Sequence, residues 1–282
     1  MKKIGFIDYY ISEWHADNYP QWIKDASEKM NEDFVVAYAW AELDKSLVDG
    51  VTTDEWCNKF NVERCNSIEE LCEKSDYVLV LAPTNPETHL GYAKQVLKYK
   101  KNTYIDKTFA PDYASAKEIF DIAEKYGTKF FSTSALRFAS ELDEIKDALS
   151  VDVRGGGSNI EEYIIHQIEM AVRVLKKNAV RVRVEDEGDN NKYTCYVDFG
   201  NDEISTLYFA QGTPFSLSAN FKGGIAKNYP IESDFFANLL SDILRFFVTG
   251  ETSFDVKETL EVMKIREAVV KGVSNIGEWI AL

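Results

Sequence analysis

Two apolar runs, "FVVAYAWA" over 34–41 and "YVLVLAP" over 77–83, limit the fold more than any other feature of the chain. Neither alternates between apolar and polar residues, so a strand made from either is buried on both faces. Helical segments follow such runs along the first half. One extends from about His15 to about Met30. "SIEELCEKS" starts with Ser67 and Glu70 spaced as a capping box. "TNPETHLGYAKQVLKYK" carries Pro86 near a first helical position and continues as an amphipathic helix. "TYIDK" and "KFFSTSA" are strand candidates on either side of "PDYASAKEIFDIAEKYG", a helix closed by Gly127. With Lys3–Ile7 as the opening strand, these pieces make βαβ units and hence a parallel sheet covered on both faces. A Rossmann-like, doubly wound α/β domain is expected over 1–135.

Past 135 the pattern changes. A helix is expected around Ser140–Leu149, then a break at Gly155–Gly157, then a helix through about Leu175. Four strand candidates follow: "AVRVRVEDE", "KYTCYVDF", "EISTLYFA" and "FSLSANFKG". The short turns "GDNN", "GND" and "QGTP" separate them, as in an antiparallel meander. Helices over Ser233–Val248 and Val256–Ser274 end the chain. The expectation for 136–282 is an α+β domain on a largely antiparallel sheet.

Composition narrows the function classes. The 282 residues hold 32 basic and 47 acidic side chains, a formal charge of −15, which disfavours nucleic acid or an anionic membrane as main partner. With 45% hydrophobic and 13% aromatic residues the chain can bury a sizeable core. Cys57, Cys65, Cys72 and Cys195 fit no zinc spacing, and three histidines make a metal cluster improbable. No stretch reads as a signal peptide or a bilayer span, so a cytoplasmic protein with reduced thiols is expected.

In a doubly wound sheet, ligands bind beyond the carboxyl ends of the strands. That singles out Asp8–His15, Glu42, Pro83–His89, Lys107 and Ser132–Arg137. The first turn would ordinarily hold glycines that let backbone N–H groups approach a pyrophosphate. Here the bulk of Tyr9, Tyr10 and Trp14 and the charges of Asp8 and Glu13 oppose that approach. A packed turn without a ligand and a rewritten phosphate loop both remain open. Glu42, ending the second strand, stands where an acid would bind a ribose. Lys107 ends a buried strand and points into the crevice, although a strand-end lysine is commonly a solvated surface group. Glu162 and His166, four apart, share one helix face with Glu169 three further on. Such a pair can move a proton near neutrality, although a lone pair of this kind is more often a surface ion pair or a satisfied half-buried histidine.

The order of these features resembles the Gfo/Idh/MocA family (glucose–fructose oxidoreductase, inositol dehydrogenase and MocA-like proteins). "IDKTFA" is similar to the family's Glu-Lys-Pro strand end, with Asp106, Lys107 and Thr108. "FFSTSALRF" matches its Arg-Phe element through Arg137-Phe138. "GGGSNIEEYIIHQIEM" matches its Asp-x-x-x-His element through Glu162 and His166, and "LAPTNPETHL" resembles its Thr-Pro…His segment. The closing helices follow the family pattern, so the resemblance runs along nearly the whole chain. Departures are Asp8, Tyr10 and Glu13 in place of the loop glycines, Thr108 for proline and Glu162 for aspartate.

The resemblance implies NAD- or NADP-dependent oxidation or reduction at a hydroxyl or carbonyl of a sugar, cyclitol or similar polyol. It gives Lys107, His166 and Glu162 catalytic roles. Lys107 would stabilise charge on the reacting oxygen, His166 would carry the proton, and Glu162 would orient the ring or hold a hydroxyl. Cofactor-binding residues would be Asp8, Tyr9, Tyr10, Glu42, Pro83, Asn85 and His89. Arg137, Asn159 and Gln167 would meet a polyhydroxylated substrate. It further implies a homodimer or tetramer paired through the second-domain sheet. Two alternatives stay open: a non-redox binding or regulatory descendant, and an NAD-assisted glycoside hydrolase.

Overall fold

In the computed structural model, which describes residues 1–188, 191–200 and 203–282, the chain forms two compact units. The first holds Met1–Thr133 and Leu239–Val256; the second holds Ser134–Asn238 and Lys257–Leu282. The sequence pattern placed the division at 135/136 with both closing helices in the second domain. The structure instead assigns most of the penultimate helix to the first unit.

The first unit contains β1 (Lys2–Asp8), α1 (Trp14–Lys29), β2 (Phe34–Ala41), α2 (Thr53–Phe60), β3 (Glu63–Arg64), α3 (Ile68–Lys74), β4 (Tyr77–Val80), α4 (Pro86–Val96), β5 (Thr103–Ile105), α5 (Tyr113–Tyr126) and β6 (Phe130–Phe131). Its sheet is parallel throughout, in the order β3-β2-β1-β4-β5-β6. The order reverses between β1 and β4, so the carboxyl ends of those two strands flank the ligand crevice of this topology. Ile4, Phe6 and Ile7 of β1 and Val78, Leu79 and Val80 of β4 are fully buried, as two covered faces require.

Helix boundaries follow local chemistry. The Asp112 side chain caps α5 and Gly127, at φ 68°, ends it. Pro86 starts α4. The box expected at α3 is only half made: Ser67 accepts from the Glu70 N–H, while the Glu70 carboxylate accepts from Asn66. The reciprocal box opens α2 instead, between Thr52 and Glu55.

The second unit contains β7 (Ser150–Gly155), α6 (Ile160–Leu175), β8 (Arg181–Asp186), β9 (Tyr193–Asp198), β10 (Ile204–Phe209), β11 (Ser216–Phe221) and β12 (Ile225–Pro230). Next in the chain is α7 (Phe235–Thr249), which begins in this unit and ends in the first. α8 (Glu258–Val273) and β13 (Trp279–Ala281) complete the second unit. Within the first unit, Phe247 of α7 stacks on Tyr77 with ring centres 4.7 Å apart, and Phe246 meets Phe131 edge-on at 5.0 Å. Asn102 donates to the carbonyls of Phe246 and Phe247 in the last turn of α7, where Phe246 also accepts from Gly250 N–H.

The second sheet runs β12-β11-β7-β10-β9-β8-β13, antiparallel except for the β7–β10 pair. This corrects two sequence expectations. Residues 140–149 hold a short 3-10 turn, Ser140–Glu144, and no α-helix. β7 then begins, with Val151 and Val153 buried while Asp152 and Arg154 face the other way, the period of a one-sided strand. β7 also lies between β10 and β11, so the expected four-strand meander is interrupted. The turn residues 189–190 and 201–202 lie outside the described residues.

Gly155 ends β7, and Gly156 and Gly157 lie in the connection from that strand to α6 rather than in a break between helices. A Cβ on Gly156 would stand 1.8 Å from the Ala210 carbonyl oxygen, and one on Gly157 2.0 Å from the Tyr163 ring. Side chains there would push the chain away from the end of β10 and from the start of α6.

Candidate functional site

In the first unit the turn after β1 is stitched to neighbouring strand ends. The carbonyls of Asp8 and Tyr9 accept from the N–H groups of Glu42 and Leu43. The Asp8 carboxyl, 1% exposed, accepts from Tyr9 N–H at 2.7 Å and Ala82 N–H at 3.2 Å through Oδ1. It thereby ties β1 to the chain leaving β4, while Oδ2 has no hydrogen-bond partner. Burial, reinforced by the charges of Glu13 and Asp106, pushes Asp8 well above the usual carboxylate range.

Glu13 sits at the N-terminus of α1 and caps it. Oε2 accepts from His15 N–H at 2.9 Å and Oε1 from Ala16 N–H at 2.5 Å. Half-buried among other acids, Glu13 is also raised, burial being the main cause. The His15 ring bonds Asp106 through Nδ1 and stacks on Tyr19 with centres 5.1 Å apart. Burial works against the Asp106 charge, but His15 and Lys107 beside it hold the carboxyl below the usual range. Tyr10 is buried and Tyr9 half-buried, so the two rings pack the turn rather than line an open cradle.

At the other strand ends the positions are as the sequence suggested. Glu42 follows β2, exposed, and accepts from the Tyr92 hydroxyl of α4 at 2.7 Å. Lys107 follows β5 and is 9% exposed; its Nζ donates to the Pro83 carbonyl at 3.4 Å and its N–H to Asp106 at 2.8 Å. The Lys107–Thr108 peptide bond is cis. Pro83 is buried, and Asn85, half-buried, donates to Glu87 without capping α4.

His89 is a correction. It is fully buried, with Nδ1 3.0 Å from the Phe109 carbonyl and Nε2 2.6 Å from the Leu81 carbonyl. Burial lowers its pKa. It joins the end of β4 to the loop after β5 and presents no nitrogen to a cofactor.

The second unit builds its own polar cluster on α6. Asn159 caps the helix by accepting from Glu162 N–H at 2.8 Å, and its amide donates to the Glu162 carboxylate at 3.2 Å. One turn on, His166 is half-buried, with Nδ1 2.6 Å from Ser134 Oγ and its ring between Tyr163 and Phe215, each centre 5.7 Å away. The hydrogen bond that sets the ring plane therefore comes from Ser134. Behind Ser134 lies buried Glu169, which accepts from Ser134 N–H and from Arg137 Nε at 2.6 Å. Arg137 also donates to Glu258 of α8 at 2.6 Å.

Two expected substrate ligands are corrected by this arrangement. Arg137 is 2% exposed and engaged by two carboxylates. Gln167 is fully buried and donates to the Tyr208 carbonyl of β10. Asn159 is exposed, at the helix start. Among the described residues no group of three or more ligating side chains could hold a metal ion, and no helix is long and apolar enough to cross a membrane.

Sequence reasoning missed Ser134 and His15 as partners. Their spacing from His166 and Asp106, 32 and 91 residues, offers no one-dimensional signal. Glu13 as a helix cap carried only a faint signal, because Ser, Thr, Asp and Asn are the usual caps and Glu is merely common near helix starts.

Residues 26–134 match the GFO_IDH_MocA model, described as an oxidoreductase family with an NAD-binding Rossmann fold. That match begins inside α1 and omits the opening turn. An uncharacterized oxidoreductase, YhhX of Escherichia coli, is 30% identical over 98 residues, which are 35% of this chain and 28% of that protein. A probable dehydrogenase from Thermotoga maritima has the same fold, with a TM-score of 0.80 at 14% identity over 99% of this chain and 98% of that one. A putative myo-inositol dehydrogenase from Sinorhizobium meliloti gives 0.76 at 13% identity, covering 100% and 99%. At these identities the structural likeness concerns the fold alone. Residues 26–134 are thus similar to the NAD-binding Rossmann domain of the Gfo/Idh/MocA oxidoreductases, and the chain as a whole shares the fold of the two dehydrogenase structures.

Proposed function

We propose that the protein is an NAD-dependent oxidoreductase acting on a hydroxyl or carbonyl of a polyhydroxylated small molecule. The observation that carries this reading is Lys107. It is a nearly buried ammonium at the carboxyl end of β5, in a unit matching an NAD-binding family, with one donor on the Pro83 carbonyl. An ammonium has three donors, and burying it is costly unless the others find oxygen as well.

The residues suit a nicotinamide dinucleotide unevenly. The strand ends fit: Glu42 can accept from ribose hydroxyls, and its charge repels a 2′-phosphate, which favours NAD over NADP. The start of α1 fits only when Glu13 is elsewhere, because two of its N–H groups are in use. Bound there, the cofactor would accept or return a hydride. Lys107 would then stabilise negative charge on the reacting oxygen. His166, held through Nδ1 by Ser134, would take and return the proton. Glu162 and Asn159 would bind hydroxyl groups. The occupied helix start favours a second reading, a non-redox binding protein on the same fold.

A thermal-shift titration with NAD+, NADH, NADP+ and NADPH separates the two. Saturating NADH is expected to raise the melting midpoint by about 5 °C by mass action. Lys107→Ala is expected to keep that shift and lose turnover. No shift with any of the four cofactors removes the oxidoreductase reading in favour of the binding module.

Self-association is proposed through the second sheet. The face away from the buried valines carries Arg154 over Tyr208 and Arg183 over Tyr196, half-exposed cation–aromatic rungs of the kind found in interfaces. Light scattering at micromolar concentration should give a dimer or tetramer mass; a monomer rules the proposal out.

A further inference from the structure

We propose that Glu13 is a built-in occupant of the phosphate site: a dinucleotide's pyrophosphate reaches the start of α1 only by displacing the Glu13 carboxylate. This rests on the NAD reading above and adds a residue that governs the affinity and pH dependence of cofactor binding.

The geometry is that of an anion already bound. Helix N-termini attract anions through unpaired N–H groups and the helix dipole. In α1 two of those groups, on His15 and Ala16, point at the two oxygens of one carboxylate. The main chain of the turn is held independently, by the bonds from Glu42 and Leu43 and by Glu13 N–H to the Ile11 carbonyl. The side chain can therefore leave without unravelling the turn. Asp8 supplies the second observation, a 1% exposed carboxyl at the same turn whose Oδ2 lacks a partner. A phosphate oxygen near it would be repelled by an ionised Asp8 and would accept a hydrogen bond from a protonated one.

Charges facing Glu13 set the sign of the pH effect. Asp8 at the end of β1 and Asp106 beyond β5 are acids. His15 on α1 and Lys107 beyond β5 are bases, and the Tyr19 hydroxyl of α1 senses the same field. Burial favours the protonated forms of both Glu13 and Asp8. The negative charge of a pyrophosphate beside Asp8 and the displaced Glu13 favours their protonated forms further, so its binding takes up protons and weakens as pH rises.

The test is binding, measured on the whole protein. NADH is titrated by fluorescence, and ADP-ribose and nicotinamide riboside by calorimetry, against wild type, Glu13→Gln and Glu13→Ser. Serine keeps a capping oxygen without charge, and melting curves confirm that each variant is folded. Glu13→Ser is expected to bind NADH and ADP-ribose about tenfold tighter than wild type, the scale of one charge at a helix terminus. Nicotinamide riboside, which has no phosphate, should bind both proteins equally. Wild-type affinity should fall with rising pH, and the buffer-dependent heat of proton uptake should shrink in both variants. If wild type binds NADH and Glu13→Ser gains nothing, or gains equally for the riboside, the inference is overturned while the NAD reading stands. If no protein binds any pyrophosphate ligand at any pH, the NAD reading falls and the inference falls with it.

Discussion

Arg137→Ala is expected to cost about 3–5 kcal/mol of stability, the range for stranding a buried charge. Arg137 is 2% exposed and Glu169 1% exposed; the guanidinium meets Glu169 through Nε and Glu258 through Nη1, both at 2.6 Å. Alanine leaves the Glu169 carboxylate in the interior with the Ser134 N–H as its remaining named donor, at 3.2 Å. The melting midpoint should fall by about 10 °C for a chain of this size. Arg137→Lys should lie between, because an ammonium keeps the charge but not the fork that reaches two carboxylates. Pairing Arg137→Ala with Glu169→Gln should recover part of the loss, since the stranded charge is then gone. A single alanine variant within about 1 kcal/mol of wild type would mean that the network is worth no more than a surface ion pair. The consequence extends to His166. Glu169 holds the Ser134 main chain and Ser134 holds the His166 ring, so Arg137 is a positioning residue for the side chain proposed to carry the proton.

How far the sequence reaches is visible in particular elements. β2 spans 34–41, the same eight residues as the run "FVVAYAWA". A parallel strand covered on both faces leaves an unbroken apolar signature that needs no partner to be recognised. β7 was hidden because "SVDVRG" is short and runs into glycines. What makes it a strand is parallel pairing with β10, whose residues lie more than fifty positions away. β13, three residues long, exists only as an edge on β8. The site divides in the same way. Lys107 after a buried strand and His166 on a helix were legible from local pattern. His15 with Asp106, Ser134 with His166 and Arg137 with Glu258 were not, being 91, 32 and 121 residues apart. Arg137, His89 and Gln167 were misassigned for one reason: polar residues near a crevice look alike in sequence whether they face a ligand or the core. Burial decides between those roles, and burial is a property of the tertiary structure.

Asp8→Asn is expected to stabilise the protein by about 1–3 kcal/mol near neutral pH, the range for relieving a buried polar group that lacks a partner. Asp8 Oδ1 accepts two main-chain hydrogen bonds that an asparagine carbonyl oxygen can keep. Its Oδ2 is buried without a partner, and Glu13 and Asp106 add like charge. The sign follows from the raised pKa. The folded protein holds the Asp8 proton more tightly than the unfolded chain does, so Asp8's contribution is most favourable below the ordinary carboxylate range. It is lost progressively as pH rises from there through the raised value. Asparagine carries no such proton and removes that slope. The gain should therefore be small near pH 4 and grow toward neutrality, read as the difference in urea midpoint between the two proteins across pH. An amide placed toward Glu13 and Asp106 also turns a repulsion into an attraction, so Glu13 should be held more firmly at the start of α1. If Asp8→Asn leaves the midpoint unchanged at all pH values, Asp8 is not the strained acid its burial indicates, and its orphaned oxygen is met by solvent.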